Sequence, residues 1–336
     1  MKTAVIVQAR MSSQRLPGKS MMDLCGKPVI QHVLERCLQI GADVVVLAVP
    51  EGPESAPMVD VARTLNVHVY WGSETDVLSR YVGAAKAARA DIIMRVTGDC
   101  PMIDPKVCRK VLDYAIANKF SYTSNVHKKR TYPKGFDCEV FTMETLLAAA
   151  ARPHCKVERE HVTAAMTNGL HTGCVWKEHD ESHINYCVDT QGDLDRMRGV
   201  MSLYLYPVSQ WTNNSAQVLW EMLLERNMDH SISHKKMPKW DHHTAFVSNH
   251  PYEEWYLIKN DETILGNIYL TKQREVGLFL FKHAQGQRIG TLALEKLRMQ
   301  HPGPLYANIS PNNEGSMRFF ERHGFVHIQN TLKLEE

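Results

Sequence analysis

Thr3-Ala-Val-Ile-Val7, followed by Gln8-Ala-Arg-Met-Ser-Ser-Gln-Arg-Leu-Pro-Gly-Lys19, is the stretch on which the reading of this chain turns. A short β-branched run of this kind reads as a buried strand. The segment after it carries Arg10, Arg15 and Lys19, the serines Ser12 and Ser13, and a Pro17-Gly18 turn signal. Three cations and free backbone N–H groups at the end of a parallel strand suit a polyphosphate, whose charge calls for many donors. In open α/β sheets ligands sit beyond the carboxyl ends of the strands, which is where this loop falls. A plain solvated basic loop fits the same string.

Gly18-Lys19-Ser20 ends like a P-loop. That motif needs a glycine where Ser13 stands and a helix starting at once, whereas Gly26 and Pro28 delay the next helix. Beyond the loop, strand and helix alternate. The pattern predicts a helix from Pro28 to about Ile40, with Val29, Ile30, Val33, Leu34, Cys37 and Leu38 as its apolar stripe. It then predicts a strand over 43–49, a helix over 59–65, a strand over 67–70, a helix over 77–88 and a strand over 91–96. Short links between such elements imply a doubly wound parallel sheet of the Rossmann type.

Asp99, in Thr97-Gly-Asp-Cys-Pro101, follows the fourth strand near where the first strand's loop should emerge. A carboxylate there can hold Mg²⁺, which takes one or two carboxylates plus substrate phosphates. Read locally, the same string is also an ordinary turn before the helix from Pro105. Farther on, Tyr122–Asn125 and Glu139–Phe141 read as strands around the basic loop His127-Lys-Lys-Arg130. Helices follow near Thr142–Ala151 and Glu158–Thr167, and a late strand, Asn185–Val188, delivers Asp189 before a helix through Met201.

A length of 336 residues predicts two domains, each able to bury its own core. A net charge of +2 gives no reason to expect nucleic acid or an anionic membrane as partner. No apolar run reaches the length of a membrane span, and Gln8 and Arg10 interrupt any signal-peptide core. The eight cysteines are scattered without a C-x-x-C pair, which argues against structural zinc and for reduced thiols in the cytoplasm. Cys25 and Cys37 lie in apolar patterns and are expected in the core. The seventeen histidines show no H-E-x-x-H spacing.

In order along the chain stand the first loop, Gly72-Ser-x-x-Asp-Val-Leu-x-Arg80, Arg95-Val-Thr-Gly-Asp-Cys-Pro101, Gly135-x-Asp-x-Glu-Val-Phe141, Glu158-Arg-Glu-His-Val-Thr163 and Val188-Asp-Thr190. This series resembles the spore-coat-polysaccharide type of cytidylyltransferase, relatives of the CMP-sialate and CMP-octulosonate synthetases. It covers nearly all of residues 1–200. The departures are Ser12 in place of a common glycine and Val49-Pro50 in place of a Thr-Ser pair at the nucleobase pocket. The resemblance implies attack by a sugar anomeric hydroxyl on the α-phosphate of CTP, releasing pyrophosphate. It gives Arg10, Lys19, Asp99 and Asp189 the catalytic roles, with Mg²⁺ carried by Asp99 and Asp189. Arg10, Arg15 and Lys19 then hold the triphosphate, with Ser13 in the same loop. Arg80 and Arg95 contact phosphate or nucleotide, or else are a helix-face ion pair or a strand-edge charge. Asp137, Glu139, Arg159 and His161 line the sugar side, and His161 is placed to take the hydroxyl proton. A homodimer is also implied.

Residues 203–215, with Pro207, Ser209 and Asn213-Asn-Ser215, break the pattern and set domains of 1–208 and 216–336. After them come a helix over 218–226, a polar loop from Asn227 to His243, and a hairpin of Glu254–Lys259 with Thr263–Leu270. A strand over Glu275–Phe281 leads into His283-Ala-Gln-Gly-Gln-Arg-Ile-Gly-Thr291, which opens a helix. Such a strand, glycine-bearing loop and helix N-terminus can bind an anion. With a strand at Pro304–Ile309 and Asn312-Asn-Glu-Gly-Ser-Met-Arg-Phe-Phe-Glu-Arg-His-Gly-Phe325, the segment resembles a GNAT acetyltransferase of α+β fold. The resemblance implies acetyl-CoA, gripped at its pyrophosphate by the amides of Gln287, Arg288, Ile289, Gly290 and Thr291 and contacted by Asn313. Arg288 replaces the first loop glycine, and Phe320 stands where many relatives use a tyrosine as general acid.

Together these readings give a bifunctional enzyme. One domain makes the CMP derivative of an acidic nonulosonic sugar, and the other N-acetylates an amino sugar of the same glycan pathway. The competing reading is a nucleotidyltransferase for an octulosonate, a phosphonate or a polyol phosphate. In that case the second domain binds CoA or docks a partner without catalysis.

Overall fold

The β-branched run at the start forms β1 (Thr3–Gln8), whose four central residues are buried. Alternate side chains of this strand enter two different cores, as strand geometry requires. Val5 and Val7 join one core and Ala4 and Ile6 the other. The computed structural model describes residues 1–152, 156–166, 171–178, 180–211, 215–226, 236–260, 263–287 and 289–328. The chain divides into two compact units, Met1–Arg198 and Gly199–Glu336.

The first unit continues with a small hairpin, β2 (Asp23–Leu24) and β3 (Lys27–Pro28), then α1 (Val29–Leu38), β4 (Val44–Pro50), α2 (Ala56–Thr64), β5 (His68–Gly72), α3 (Val77–Ala88) and β6 (Ile92–Thr97). Next come α4 (Pro105–Asn118), β7 (Tyr122–Ser124), β8 (Glu139–Thr142), α5 (Met143–Ala150), α6 (Lys156–His161), β9 (Thr172–Cys174) and α7 (Gln191–Ser202). The sheet order is β5-β4-β1-β6-β8-β7-β9. β5, β4, β1 and β6 run parallel, β8 is antiparallel to β6 and to β7, and β9 pairs parallel with β7. Ile30, Val33 and Leu34 of α1, Met58 and Ala62 of α2, and Val111 and Leu112 of α4 cover one face. Leu78, Tyr81 and Ala84 of α3 and Leu146 of α5 cover the other. This is the doubly wound arrangement, extended at one side by an antiparallel strand pair.

From β1 the chain winds out through β4 to β5, then returns across β1 to form β6. The order of winding therefore reverses between β1 and β6, and both strands end at the same edge of the sheet. A crevice opens at such a reversal. The segment after β1 and the segment after β6 both start there.

The second unit contains β10 (Leu203–Pro207), α8 (Ser215–Glu225), α9 (Trp240–Ser248), β11 (Glu254–Asn260), β12 (Thr263–Leu270), β13 (Val276–Leu280), α10 (Ile289–Gln300) and α11 (Glu314–Arg322). Its strands form an antiparallel sheet in the order β10-β11-β12-β13. Leu292, Ala293, Leu297 and Phe320 pack with Ile258, Ile268 and Leu270 in one core. Leu219, Met222 and Val247 pack on Leu257 in another.

Several expectations need correction. Leu203–Pro207 belongs to the second sheet, because it pairs with β11 from Leu203↔Asn260 to Pro207↔Tyr256, so the units part before residue 208. Asn185–Val188 is no strand, as among the described residues its only pairing is a bridge between Lys134 and Asn185. Pro304–Ile309 likewise keeps only a bridge from Tyr306 to Glu275. Cys25 is exposed, since it takes a left-handed conformation (φ 54°) in the turn of the β2–β3 hairpin. Trp240–His243 opens α9 rather than ending a loop, and Thr167 lies outside the described residues. Among the described residues no helix is long and apolar enough to cross a membrane.

Candidate functional site

Gly98 brings the two crevice segments together. Its N–H donates to the Gln8 carbonyl at 2.8 Å, and a Cβ there would lie 2.8 Å from the Ala9 Cβ. Only the absence of a side chain allows that approach, and it sets Asp99 beside the loop that carries Lys19. The Lys19 ammonium spans two carboxylates, 2.7 Å from Asp99 Oδ2 and 2.9 Å from Asp189 Oδ1. Arg15 reaches the same Asp189 oxygen at 2.9 Å. A backbone bond from Val188 N to Asp99 O, 2.8 Å, ties together the two segments that bear the acids.

Burial works against charge on the Asp99 carboxyl. The Lys19 charge and hydrogen bond outweigh it, helped by Thr97 and Cys100, and hold that carboxyl below its ordinary value. Burial likewise disfavours the Lys19 ammonium, but Asp99 and Asp189 more than offset it and leave its pKa raised. Lys19 is thus firmly charged and at least one acid firmly ionised. Among the described residues no group of three or more His, Cys, Asp or Glu stands in a metal-holding arrangement. Two convergent carboxylates that already hold one cation fit Mg²⁺, which needs no more from protein when substrate phosphates complete its shell. They do not fit a closed zinc site.

The remaining loop cations have partners of their own. Arg10 pairs with Glu160 of α6 at 3.1 Å, and Arg159 on the same helix pairs with Asp76 at 2.5 Å. Asp76 also caps α3 by accepting from Ser79 N. Ser13 is half-buried in the loop, and Ser12 donates to Glu74. Arg80 is 2% exposed, donates through Nη1 to the Ser73 carbonyl, and among the described residues has no partner at Nε. Burial lowers its pKa, and nearby Arg10 lowers it further. A buried guanidinium beside a second cation suits an anion or a base edge rich in acceptors.

Arg95 and Glu139 face each other across β6 and β8 and form a short ion pair, with Arg95 Nε on Gln8 Oε1 at 3.2 Å. Tyr122 donates to the other Glu139 oxygen at 2.7 Å. Arg95 thus sits in a local ion pair. Asp137 holds Arg130 through both carboxylate oxygens at 2.5 and 2.8 Å. Arg95, Thr97, Tyr122, Asp137, Glu139 and His161 line a cavity of about 370 Å³, with Val126 and Thr163. His161 is exposed at its mouth.

The sequence reading missed Tyr122, Arg130, Asp76 and Glu160. Asp76 and Glu160 lie inside quoted motifs. The signal was available in the capping position of Asp76 and the alternation of Arg159 and Glu160, but partners so far apart in sequence carry no local periodicity.

In the second unit, Gln287 donates from Nε2 to the His283 carbonyl at 2.7 Å, while Arg288 lies outside the described residues. Ile289, Gly290 and Thr291 open α10. A Cβ at Gly290 would sit 3.3 Å from both Leu278 and Phe319, so this turn lies tight on the sheet and on α11. Thr291 Oγ1 is 3.0 Å from His323 Nε2. Asn313 caps α11 by accepting from Ser316 N at 3.0 Å, so its carbonyl is committed to the helix. Among the described residues strand β13 meets the last apolar segment only where Val276 N donates to the Tyr306 carbonyl. Among the described residues β13 is the last strand of its sheet, with residues 277–280 half-buried, so its outer edge is open beside the α10 turn. Phe320 is buried between the Phe319 and Phe325 rings at 5.1 and 4.9 Å.

Comparison with known proteins matches residues 4–200 to the family described as Cytidylyltransferase and residues 217–325 to the Acetyltransferase (GNAT) family. An uncharacterized protein of Methanocaldococcus jannaschii is 34% identical over 164 residues, 48% of this chain and 66% of its own length. A 3-deoxy-manno-octulosonate cytidylyltransferase of Haemophilus influenzae is 37% identical over 118 residues, 34% of this chain and 45% of its own. The chain therefore spans about half the length of the curated relatives it matches. Among solved structures, a cytidylyltransferase from Leptospira borgpetersenii superposes with a TM-score of 0.57 at 30% identity, covering 60% of this chain and 87% of that one. With the loop cations and the acid pair gathered at the sheet's reversal point, and the match spanning residues 4–200, the chain belongs to the cytidylyltransferase family and carries a GNAT acetyltransferase domain after it.

Proposed function

We propose that the first unit transfers the cytidylyl group of CTP to a hydroxyl of an acidic sugar, of the nonulosonic or octulosonic class, with release of pyrophosphate. The observation that carries this reading is the Lys19 ammonium lodged between Asp99 and Asp189, with Arg15 on the same acid. Arg15, Lys19 and Arg10 supply the charge that a triphosphate needs and stabilise the negative charge that builds on the departing pyrophosphate. Asp99 and Asp189 would hold Mg²⁺, which when bound polarises the α-phosphate. Arg80 offers a buried, incompletely bonded guanidinium to the nucleotide.

The cavity lined by Arg95, Tyr122, Asp137, Glu139 and His161 supports the sugar assignment, since it is polar and next to the acids through Thr97. Tyr122, its proton engaged by Glu139, presents lone pairs to a sugar hydroxyl. His161 at the mouth is within the cavity lining and can accept the proton of the attacking hydroxyl. The 37% identity to an octulosonate cytidylyltransferase supports a related acidic sugar. The test is incubation with CTP, Mg²⁺ and a panel of nonulosonic and octulosonic acids, read as CMP-sugar by mass spectrometry.

We further propose that the second unit transfers acetyl from acetyl-CoA to the amine of an amino sugar in the same pathway. The open edge of β13 beside the α10 turn supports cofactor binding there. Phe320 favours a second reading, in which this unit binds CoA without turnover, because a buried phenyl ring cannot protonate a leaving thiolate. Thiol release from acetyl-CoA with candidate amino sugars separates the two.

A further inference from the structure

Cys100 and Cys187 are not used by the chemistry above, yet their sulfurs lie 3.7 Å apart beside the acid pair. The approach does not depend on side-chain placement alone. The bond from Val188 N to Asp99 O makes the neighbouring residues 100 and 187 adjacent across the same two segments. A disulfide has its sulfurs about 2.05 Å apart, so closure needs a shift of under about 2 Å, within reach of small side-chain rotations. The Cys100 thiol now donates to Asp99 Oδ1 at 3.5 Å and touches Thr97 Oγ1 at 3.2 Å. Cys100 is 1% exposed, whereas Cys187 is only half-buried. Cys108 and Cys138 also neighbour one another, but both are fully buried.

We propose that Cys100 and Cys187 are an oxidative modification site, closing to a disulfide with a peroxide-class oxidant. The Cys187 sulfur attacks a peroxide oxygen, the O–O bond breaks, and a sulfenic acid and one water (or alcohol) form. The Cys100 sulfur then attacks the Cys187 sulfur, the S–O bond breaks, and the thiol proton leaves with hydroxide as a second water. Two thiols are oxidised and one peroxide is reduced. Closure removes the thiol donor from Asp99 and ties residues 99–101 to 187–189, so the Asp99 carboxylate loses one of the contacts that set its place beside Lys19.

The full chain, treated with hydrogen peroxide, alkylated and digested, should yield one linked peptide pair joining Cys100 to Cys187. Its mass should be lower by two hydrogen atoms, and dithiothreitol should reverse it. Cys187→Ser and Cys100→Ser should each abolish that link. Recovery of both cysteines as free thiols or sulfinic acids, under conditions that oxidise exposed Cys25, overturns the proposal. This readout needs no substrate, so it stands apart from the fate of the cytidylyl-transfer reading. Where pyrophosphate release is measurable, the linked protein should lose about a hundredfold in rate, the usual cost of misplacing a site by an ångström. Full turnover by completely linked protein overturns the effect on the acids.

Discussion

Replacing Lys19 by methionine removes the ammonium that bonds both Asp99 and Asp189. Laid end to end, its two contacts put the carboxylate oxygens at most about 5.6 Å apart. At an effective dielectric constant near 20, two unit charges at about that distance repel by about 3 kcal/mol. In the native protein the Asp99 pKa lies below its ordinary 3.8, so its contribution to stability is present above that value and is lost as pH falls through the depressed pKa. In Lys19→Met, burial and Asp189 are opposed only by the weaker Thr97 and Cys100 hydrogen bonds and by Arg15 on Asp189, and the Asp99 pKa is expected to move above the ordinary value. The variant is then least stable at neutral pH and recovers as pH falls through the raised pKa. For a unit of this size about 3 kcal/mol corresponds to roughly 6–12 °C in Tm. Thermal unfolding across pH 3–8 should show that gap at pH 7 and its closure in acid, with millimolar Mg²⁺ restoring the variant more than the native protein. Rate should fall by about two to three orders of magnitude. A Tm difference that is flat with pH and insensitive to Mg²⁺ would refute the shared-cation geometry.

Arg95→Met leaves Glu139 buried without its cation and should cost about 3–5 kcal/mol, most of it recovered in the double variant Arg95→Met, Glu139→Gln, as urea unfolding can report. Glu160→Gln frees Arg10 from a pair that is about two-fifths exposed, so CTP should bind more tightly by no more than about fivefold in calorimetry. Gly266→Ala would drive a Cβ into the Phe279 carbonyl and the Leu280 backbone, and should abolish the folded second sheet by circular dichroism while CTP binding by the first unit persists.

How far the sequence could be read depends on where the deciding contacts lie. From β1 to β6 each element carries its own signal, such as the apolar stripe of α1 and the β-branched run of β4. Those were legible to within a few residues. The antiparallel pair β7–β8 was visible as strands, but its place beside β6 rests on Arg95 meeting Glu139, a pairing 44 residues apart that no local pattern encodes. Asn185–Val188 looks like a strand because its apolar residues are buried. Tyr186 and Val188 are buried by the segments around Gly135 and Asp99, with no ladder partner required. Leu203–Pro207 was hidden by its flanking proline and serine, and its strand character comes from β11. At the site, the cations and both acids were legible as residues, whereas the partners that hold them, Glu160 on Arg10 and Asp137 on Arg130, emerge only from the fold.

The account rests on the two carboxylates and the loop cations acting as one cytidylyl-transfer centre. The most direct measurement is pyrophosphate release from CTP with Mg²⁺ and an acidic sugar, compared between the native chain and Asp99→Asn. The account predicts release that requires both CTP and sugar and falls by at least about a hundredfold in the variant, which stays folded. Equal release from the two proteins would contradict it.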